Sequence, residues 1–354
     1  MATVAPAVTH APPAQGLGGS PRAGWGLLAL LLVTIVAALC AGRYALPPSA
    51  LVDVLLADLG WPGIEAPDAA ARIVHQVRLP RIALAAIVGA GLAISGAAMQ
   101  SVFRNPLAEP QLLGVSSGAA FGGVLGMMLS AHPAAIVLGA FAFGLGSLAL
   151  VFWLAGGRGG MSTSIVLVLA GLVVGAVFAA GVSLVKLVAD PQNQLPAMVF
   201  WLMGSLASAD AAKLWIAAPV ILPSLYLVYR LRFALLALSL GDEDARSLGV
   251  PVGRTRALAL AAVGLITAAS VAVCGIVGWV GLVVPHLVRL ALGAGHRTFL
   301  VNVTLAGAIY LIVVDTIARA ATPVEIPLGV MTALLGAPMF AYLLRRLRAG
   351  GIER

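Results

Sequence analysis

The longest stretch of the chain without a charged residue runs from Pro110 to Gly157 and contains 48 residues. As one helix it would be about 72 Å long, roughly twice the thickness of a bilayer. His132 and Pro133 near its middle form a natural turn, so the stretch predicts two antiparallel membrane-spanning helices. Because 61% of the residues are apolar and only 10% are charged, one soluble core cannot absorb the chain.

The other charge-free runs give the remaining spans. Ala257 to Val288 is too long for one helix, and three glycines in it (Gly275, Gly278 and Gly281) predict a break into two. The run nearest the N-terminus, Ala23–Gly42, is longer than the hydrophobic region of a signal peptide, which favours a retained helix over a cleaved signal. Ten spans result, and those not yet named are Ala23–Gly42, Ile82–Phe103, Gly159–Val185, Leu214–Tyr229, Thr298–Val314 and Ile326–Leu344.

Basic residues predict the orientation of these spans. The loop from Arg230 to Arg256 and the tail after the last span are rich in arginine, which places both in the cytoplasm. With the N-terminus also cytoplasmic the number of spans is even, so Leu195–Leu206 is expected to be a non-spanning helix on the outer side. The net charge of +8 is then a topology signal, and no nucleic-acid partner is predicted.

The sequence divides into three regions. Residues 1–22 are predicted to be a disordered cytoplasmic N-terminus because they are rich in Pro, Ala and Gly and lack periodicity. Residues 23–348 form a single ten-helix domain with a cytoplasmic loop at about 232–254, and residues 349–354 form a cytoplasmic tail.

Small residues recur at every fourth position in two predicted spans. In a bilayer, such stripes let helix backbones approach closely. Their spacing fits packing within the chain, but it fits a dimer seam or a substrate path equally well. The two stripes are Gly114, Gly118, Gly122 and Gly126, and Gly171, Gly175, Ala179 and Ser183.

Several activities are excluded by the residues that the chain lacks. Its two lysines, Lys186 and Lys213, do not belong to a G-x-x-x-x-G-K-[ST] loop, so the chain has no P-loop of its own. Its two cysteines, Cys40 and Cys274, lie far apart in apolar stretches and predict neither a disulfide scaffold nor a zinc site. We therefore predict no catalytic residues, no metal site and no cofactor. An ion-coupled secondary transporter is the alternative of another class, although charge-free spans argue against it.

Several motifs follow one another in a fixed order along the chain. They are RLPR at 78–81, RNPLAEP at 104–110, LGVSSGA at 113–119, GWVGLVVPH at 278–286 and EIPLG at 325–329. This set resembles the FecCD-type permeases of bacterial ABC importers, the family of the vitamin B12, haem and ferric-siderophore importers. The resemblance extends from about Arg72 to Arg348.

The resemblance implies a fold, partners and a cargo. The fold is an all-α polytopic membrane protein of ten transmembrane helices, with spans 2–5 and 7–10 forming an inverted repeat. The partners are a second copy of the chain, two cytoplasmic ATP-binding subunits that hydrolyse ATP, a periplasmic substrate-binding protein and the lipid bilayer. The location is the bacterial inner membrane, with both termini in the cytoplasm. The expected cargo is an iron chelate, either a ferric siderophore or haem, with cobalamin or an oxyanion as alternatives.

Two docking surfaces follow from the resemblance. Arg78, Arg81 and Arg319 match arginines that receive acidic residues of the binding protein. The alternatives are that Arg78 and Arg81 anchor the helix at the headgroups and that Arg319 pairs with Asp315 one turn away. On the other side, three acids after a glycine predict a helix start and a later glycine predicts its end. This segment resembles the ATPase-coupling segment, with Gly241, Asp242, Glu243, Ala245, Arg246, Leu248 and Gly249 as its residues.

The resemblance also assigns a pathway to the fifth span and the helix after it. Two other residues allow a functional interpretation. Asp315 could be a proton carrier within the membrane, although a structural pair with Arg319 is favoured. His286 could be a haem or metal ligand, but a role in the corner between spans seven and eight is favoured. The pathway residues are Ser164, Gly171, Gly175, Ser183, Trp201 and Met203.

Overall fold

The computed structural model describes residues 21–42, 44, 46–62, 67–130, 132–157, 160–161, 164–293 and 298–351. The N-terminus predicted to be disordered therefore lies outside the described residues, apart from Pro21 and Arg22, and so do residues 352–354. Most of the described chain is helical. Two strands of two residues each, β1 (Gly156–Gly157) and β2 (Gly160–Met161), pair antiparallel.

The described residues up to Leu202 carry eight α-helices. A π-helix, Ile73–Arg78, joins the third to the fourth, and a 3₁₀ helix, Pro110–Leu113, precedes the fifth. The eight are α1 (Pro21–Cys40), α2 (Pro48–Asp58), α3 (Asp68–Arg72), α4 (Leu79–Phe103), α5 (Val115–Leu129), α6 (Pro133–Ala155), α7 (Ser164–Val188) and α8 (Gln194–Leu202).

The second half carries seven α-helices among the described residues. They are α9 (Ala211–Arg230), α10 (Arg232–Leu240), α11 (Asp242–Ser247), α12 (Val252–Cys274), α13 (Val280–Leu292), α14 (Phe299–Ala320) and α15 (Leu328–Gly351).

The predicted succession of spans is confirmed. Seven helices of the described residues are long and apolar enough to cross a membrane, and three shorter apolar helices, α5, α13 and the Leu328–Tyr342 part of α15, bring the number to ten. His132 caps α6 by accepting a hydrogen bond from the backbone N–H of Ala134 at 3.2 Å, which places the predicted turn. At nine residues, α8 is about 13 Å long and too short to span.

Two short elements were not predicted from the sequence. The helix α2 begins at the second of two prolines, Pro48, and contains Asp53 and Asp58, so no charge-free run marked it. The π-helix extends α4 backwards, so that α3, the π-helix and α4 form one continuous apolar helical stretch, Asp68–Phe103.

The two halves of the bundle repeat one succession of helix lengths. The helices α4 to α7 have 25, 15, 23 and 25 residues, and α12 to α15 have 23, 13, 22 and 24. The short helix of each half follows a residue with a left-handed backbone, Gly114 at φ 70° and Trp279 at φ 68°. This agreement indicates that the two halves are structural repeats, as the predicted inverted repeat requires.

The segments that precede the two short helices, α5 and α13, contact each other. The backbone N–H of Trp279 donates to the carboxyl group of Glu109, and the side-chain amide of Gln111 lies against Gly278. Burial raises the pKa of the Glu109 carboxyl, and the hydrogen bond from Trp279 opposes that shift. The halves are therefore joined by polar contacts as well as by apolar packing.

Backbones approach most closely where two glycines face each other. A Cβ on Gly96 would overlap the carbonyl oxygen of Gly281, which joins α4 to α13. A Cβ on Gly89 would overlap the carbonyl oxygen of Gly307, which joins α4 to α14. Small residues thus allow the close helix contacts that a bilayer does not otherwise drive.

The glycine stripe of α5 packs within the chain. Gly118, Gly122 and Gly126 lie against the backbone of α6, whereas Gly114 stands before the helix as its N-cap. Of the two interpretations left open by the spacing, this stripe supports packing between the helices of the α5–α6 hairpin.

Candidate functional site

One end of the bundle, here called the arginine end, carries three buried arginines. Arg78 precedes α4, Arg81 lies in its first turn and Arg319 lies in the last turn of α14. All three line one cavity of about 220 Å³, together with Gly42 and Glu325. The structure therefore brings the three predicted docking residues together.

Arg81 binds two carboxylates at once. Its Nε and Nη2 donate to the two oxygens of Asp315 at 3.0 and 2.9 Å. Its Nη1 and Nη2 donate to the two oxygens of Glu325, both at 3.1 Å. Four of the five N–H groups of a guanidinium are thereby occupied.

Arg78 and Arg319 bind the end of α1. Arg319 donates to the carbonyl oxygens of Ala38 and Ala41 at 2.6 and 2.7 Å, and Arg78 donates to those of Leu39 and Tyr44. The last carbonyls of a helix have no partner within the helix and carry the negative end of its dipole, so cations satisfy them well. The absence of a side chain at Gly42 leaves room for both guanidinium groups.

The sequence indicated only part of this network. It suggested that Asp315 pairs with Arg319, but the nearest atoms of that pair are 3.7 Å apart and Arg81 is the closer partner. Glu325 was missed as a partner of Arg81, because no charge pattern in the sequence links two residues that are 244 positions apart. The described arginines and carboxylates of the cluster sum to +1, from three guanidinium groups and two carboxylates.

The opposite end of the bundle, here called the loop end, carries α10 and α11. The predicted start and stop of α11 are confirmed, since the helix begins after Gly241 and stops before Gly249, whose φ is 77°. The N–H of Gly249 donates to Arg246 and that of Val250 to Ala245, both at 2.9 Å. This pair of bonds is a Schellman motif, which requires the left-handed residue that glycine supplies.

Two contacts hold α11 against the bundle. Asp242 accepts two hydrogen bonds from Nη2 of Arg256 on α12, at 2.9 and 3.0 Å, and Ala245 is fully buried. Glu243 and Arg246 are exposed, and 66% of Leu248 is exposed. The segment is therefore fixed at its start and presents charged and apolar side chains at its free surface.

The predicted pathway residues lie in different surroundings. Gly171 and Gly175 on α7 face the protein, where they lie against Leu112 and Gly114. Ser183 is exposed and donates to the carbonyl of Ala179 at 3.1 Å, whereas Ser164 is half-buried at the other end of α7.

Trp201 and Met203 lie at the end of α8. The ring of Trp201 fills the space beside Gly123 of α5, and the carbonyl of Met203 accepts a hydrogen bond from Gly329 at 2.9 Å. Both residues are half-buried and connect the two halves of the bundle.

The face of α7 opposite to Gly171 is apolar and exposed. Sequence reasoning selected the small residues of this helix and missed the large ones, because exposure is not visible in a uniformly apolar helix. The exposed residues are Ile165, Leu169, Leu172, Val173, Val177 and Leu184.

His286 has local partners. Its Nδ1 lies 3.2 Å from the carbonyl oxygen of Leu282, and its ring stands edge-on to Phe340 with centroids 6.2 Å apart. Within the described residues, no three His, Cys, Asp or Glu side chains are grouped so that they could hold a metal ion.

The profile of the FecCD transport family matches residues 30–346, nearly the whole chain. The chain belongs to the FecCD transport family. It is an ABC importer permease of this family and a polytopic membrane protein, and the family implies ATPase and binding-protein partners.

Relatives of this FecCD permease are similar over most of their length. It is 40% identical to the molybdate import system permease protein MolB of Haemophilus influenzae over 94% of this chain and 98% of the relative. It is 41% identical to the hemin transport system permease protein HmuU of Yersinia pestis, over 79% and 85%. A solved inward-facing structure of a putative metal-chelate type ABC transporter matches with a TM-score of 0.82 at 37% identity, covering 92% of this chain and 100% of the other.

Proposed function

We propose that this FecCD permease carries a metal chelate, a ferric siderophore or haem, from the periplasm to the cytoplasm. The observation that supports this most is the exposed apolar face of α7, which has no charged residue between Ser164 and Val185. An organic shell hides the charge of a chelated ion, whereas a bare ion on such a surface would lose hydration without a compensating partner.

The pathway would lie between two copies of the chain, each contributing α7. In a homodimer the exposed leucines and valines of α7 would line the path, and Gly171 and Gly175 would hold the helix against its own subunit. A wall without strong ligands binds weakly, which suits a permease that must release its cargo.

The arginine end would receive the periplasmic substrate-binding protein. The cluster of Arg78, Arg81 and Arg319 carries one positive charge more than its own carboxylates balance, and it borders a cavity. A carboxylate of the partner would complete the balance and would be held bidentately by a guanidinium.

The loop end would receive the ATP-binding subunits in the cytoplasm. α11 is fixed at its start by Asp242 and Arg256 and at its end by the turn at Gly249, so a force on the exposed Leu248 would be transmitted to α12. The chain would supply no catalytic group, and ATP hydrolysis would belong to the partner subunits.

A second candidate cargo is an oxyanion. The relative named for molybdate import is as similar as the relative named for hemin transport, at 40% and 41% identity. Cobalamin, a further alternative, falls in the same chemical class as the iron chelates.

The test is ATP-dependent uptake by the complete importer in proteoliposomes, with its cognate ATPase and binding protein. We expect uptake of a ferric siderophore or hemin and no uptake of molybdate. Uptake of molybdate alone would assign the oxyanion, and ATP-independent uptake driven by an ion gradient would overturn the importer class.

A further inference from the structure

A second cavity, of about 240 Å³, lies at the loop end between α4, α10, α13 and α14. Its lining includes Arg232, Arg289, Gln100 and Phe299. The arginine end is about 29 Å away along α4, since Arg81 and Gln100 are 19 residues apart in that helix. This cavity is therefore separate from the arginine end, and its lining includes none of the residues of α11.

The two arginines of this cavity have no carboxylate partner among the described residues. Arg232 donates to the carbonyl oxygen of Tyr229 at 3.3 Å and lies 4.5 Å from the ring centroids of Tyr229 and Phe233. Arg289 lies 5.0 Å from the ring centroid of Phe299. In contrast, Arg81, Arg256 and Arg319 all face carboxylates.

The sequence of the lining segments explains this lack of carboxylates. No aspartate or glutamate occurs in residues 79–108, 231–241 or 280–314, which contain the lining parts of α4, α10, α13 and α14. Two permanent positive charges thus border one cavity without internal compensation, which favours an anionic ligand.

Two further polar features line the same cavity. The first turn of α14, with Phe299 and Leu300, brings N–H groups that have no partner within the helix, and the side chain of Thr298 does not cap them. Gln100 is only 5% exposed, and its Nε2 donates to Gly281 at 3.3 Å while its Oε1 has no partner among the described residues. A complete ligand would therefore carry an anion and a hydrogen-bond donor.

The cavity lies where a membrane surface is expected. Phe233, the neighbour of Arg232, is exposed, and so is Tyr226 near the end of α9, whose hydroxyl accepts a hydrogen bond from Arg230 at 3.0 Å. Aromatic and basic residues of this kind concentrate at the headgroup level. In the predicted orientation, on which this inference rests, the loop end faces the cytoplasmic leaflet.

We infer that this cavity binds the phosphate of an anionic phospholipid headgroup that also carries a hydroxyl, as phosphatidylglycerol does. Arg232, Arg289 and the first turn of α14 bind the phosphate, and a headgroup hydroxyl donates to Oε1 of Gln100. Basic pockets between membrane helices on the cytoplasmic side are suited to such headgroups. Because α10 forms one wall, the lipid lies directly behind the segment that leads to α11.

The test is native mass spectrometry of the full chain in detergent after incubation with phosphatidylglycerol or with phosphatidylcholine. We expect selective retention of phosphatidylglycerol. The double variant R232Q/R289Q should retain it about tenfold less, because it removes both charge-assisted contacts to the phosphate. The matched control is R230Q, which removes an exposed arginine outside the cavity and should retain the lipid fully.

A second variant, S239L, fills the cavity from the exposed side of α10 and leaves both arginines in place. It should also lose the lipid, which separates loss of the site from loss of the fold. Equal retention by the wild type, R232Q/R289Q and R230Q would overturn the site. Displacement of the lipid by inorganic phosphate at equal concentration would identify free phosphate as the ligand and overturn the lipid assignment. These outcomes do not depend on transport, so they are independent of the cargo.

Discussion

Arg81 and Asp315 are 234 residues apart in the sequence and form a bidentate ion pair, with Nε and Nη2 of the arginine 3.0 and 2.9 Å from the carboxylate oxygens. The pair joins the first turn of α4 to the last two turns of α14, and so joins the two halves of the inverted repeat at the arginine end. Neither side chain is more than 10% exposed.

The first prediction concerns the stability of this pair. D315N should lower the free energy of unfolding by about 2–3 kcal/mol, because it leaves a buried guanidinium with only one of its two carboxylates. Thermal unfolding of the purified permease in detergent measures the effect. D68N is the control, since Asp68 is exposed in the first turn of α3 and its loss should cost a few tenths of that value. Equal melting temperatures for the two variants would contradict the prediction.

The second prediction concerns Glu325, which occupies two N–H groups of Arg81 and has a side chain 20% exposed. If the arginine end docks the binding protein, E325Q frees those groups for a carboxylate of the partner. We expect the dissociation constant to fall about tenfold at low salt, and the gain to shrink as salt is added.

A binding titration at several salt concentrations measures this gain, with E243Q at the loop end as the control. Weaker docking by E325Q would mean that Glu325 supports the surface and does not compete for it.

A triple variant, R78E/R81E/R319E, should lose stimulation of ATPase activity by the binding protein.

The third prediction concerns the exposed tip of α11. L248D should weaken binding of the ATP-binding subunit without lowering the melting temperature of the permease, because 66% of Leu248 is exposed. Copurification of the ATPase subunit measures it. L59D, directly after α2, places the same charge on a leucine that is 79% exposed and lies away from the loop end, so it should leave copurification unchanged. Full copurification with L248D would show that α11 is not part of the interface with the ATP-binding subunit.

The fourth prediction concerns the close contact of α4 with α13. G96A should destabilise the permease by roughly 2–3 kcal/mol, because a Cβ there overlaps the carbonyl oxygen of Gly281 and forces the backbones apart. G146A is the matched control on α6, where nothing lies within 4 Å of the added Cβ, and it should raise stability by about 0.5–1 kcal/mol. Thermal unfolding of both variants decides the matter, and similar losses for the two would refute this account of the contact.

The sequence predicted the features of the fold that depend on local chemistry. The turn at His132, the break after Cys274 and the glycine-bounded helix at Asp242 all follow from charge-free length or from capping residues. In contrast, α2 escaped notice because a short helix with two aspartates does not resemble a span.

The side-chain partners of the arginine end could be predicted only in part. Asp315 and Arg319 lie one turn apart, so their proximity is visible in the sequence, but the closer contact of Asp315 with Arg81 depends on how α4 and α14 cross. The contact between Glu325 and Arg81 spans 244 residues and depends on the same crossing. For α7, residue size predicted the contacts of Gly171 and Gly175 with the protein, but Ala179 and Ser183 of the same small-residue stripe are exposed. Nothing in the sequence identified the exposed leucines as a surface.

The capping of α1 by Arg78 and Arg319 means that the same guanidinium groups would serve both docking and the anchorage of this helix. Any acidic group that draws either guanidinium outward takes hydrogen-bond donors from the carbonyls of Ala38, Leu39 or Ala41. Docking there would therefore loosen the outer anchorage of the first helix, and undocking would restore it. If the binding protein docks through these arginines, each round of docking and release would exchange its carboxylates for the carbonyl oxygens of α1 as partners of the same guanidinium groups.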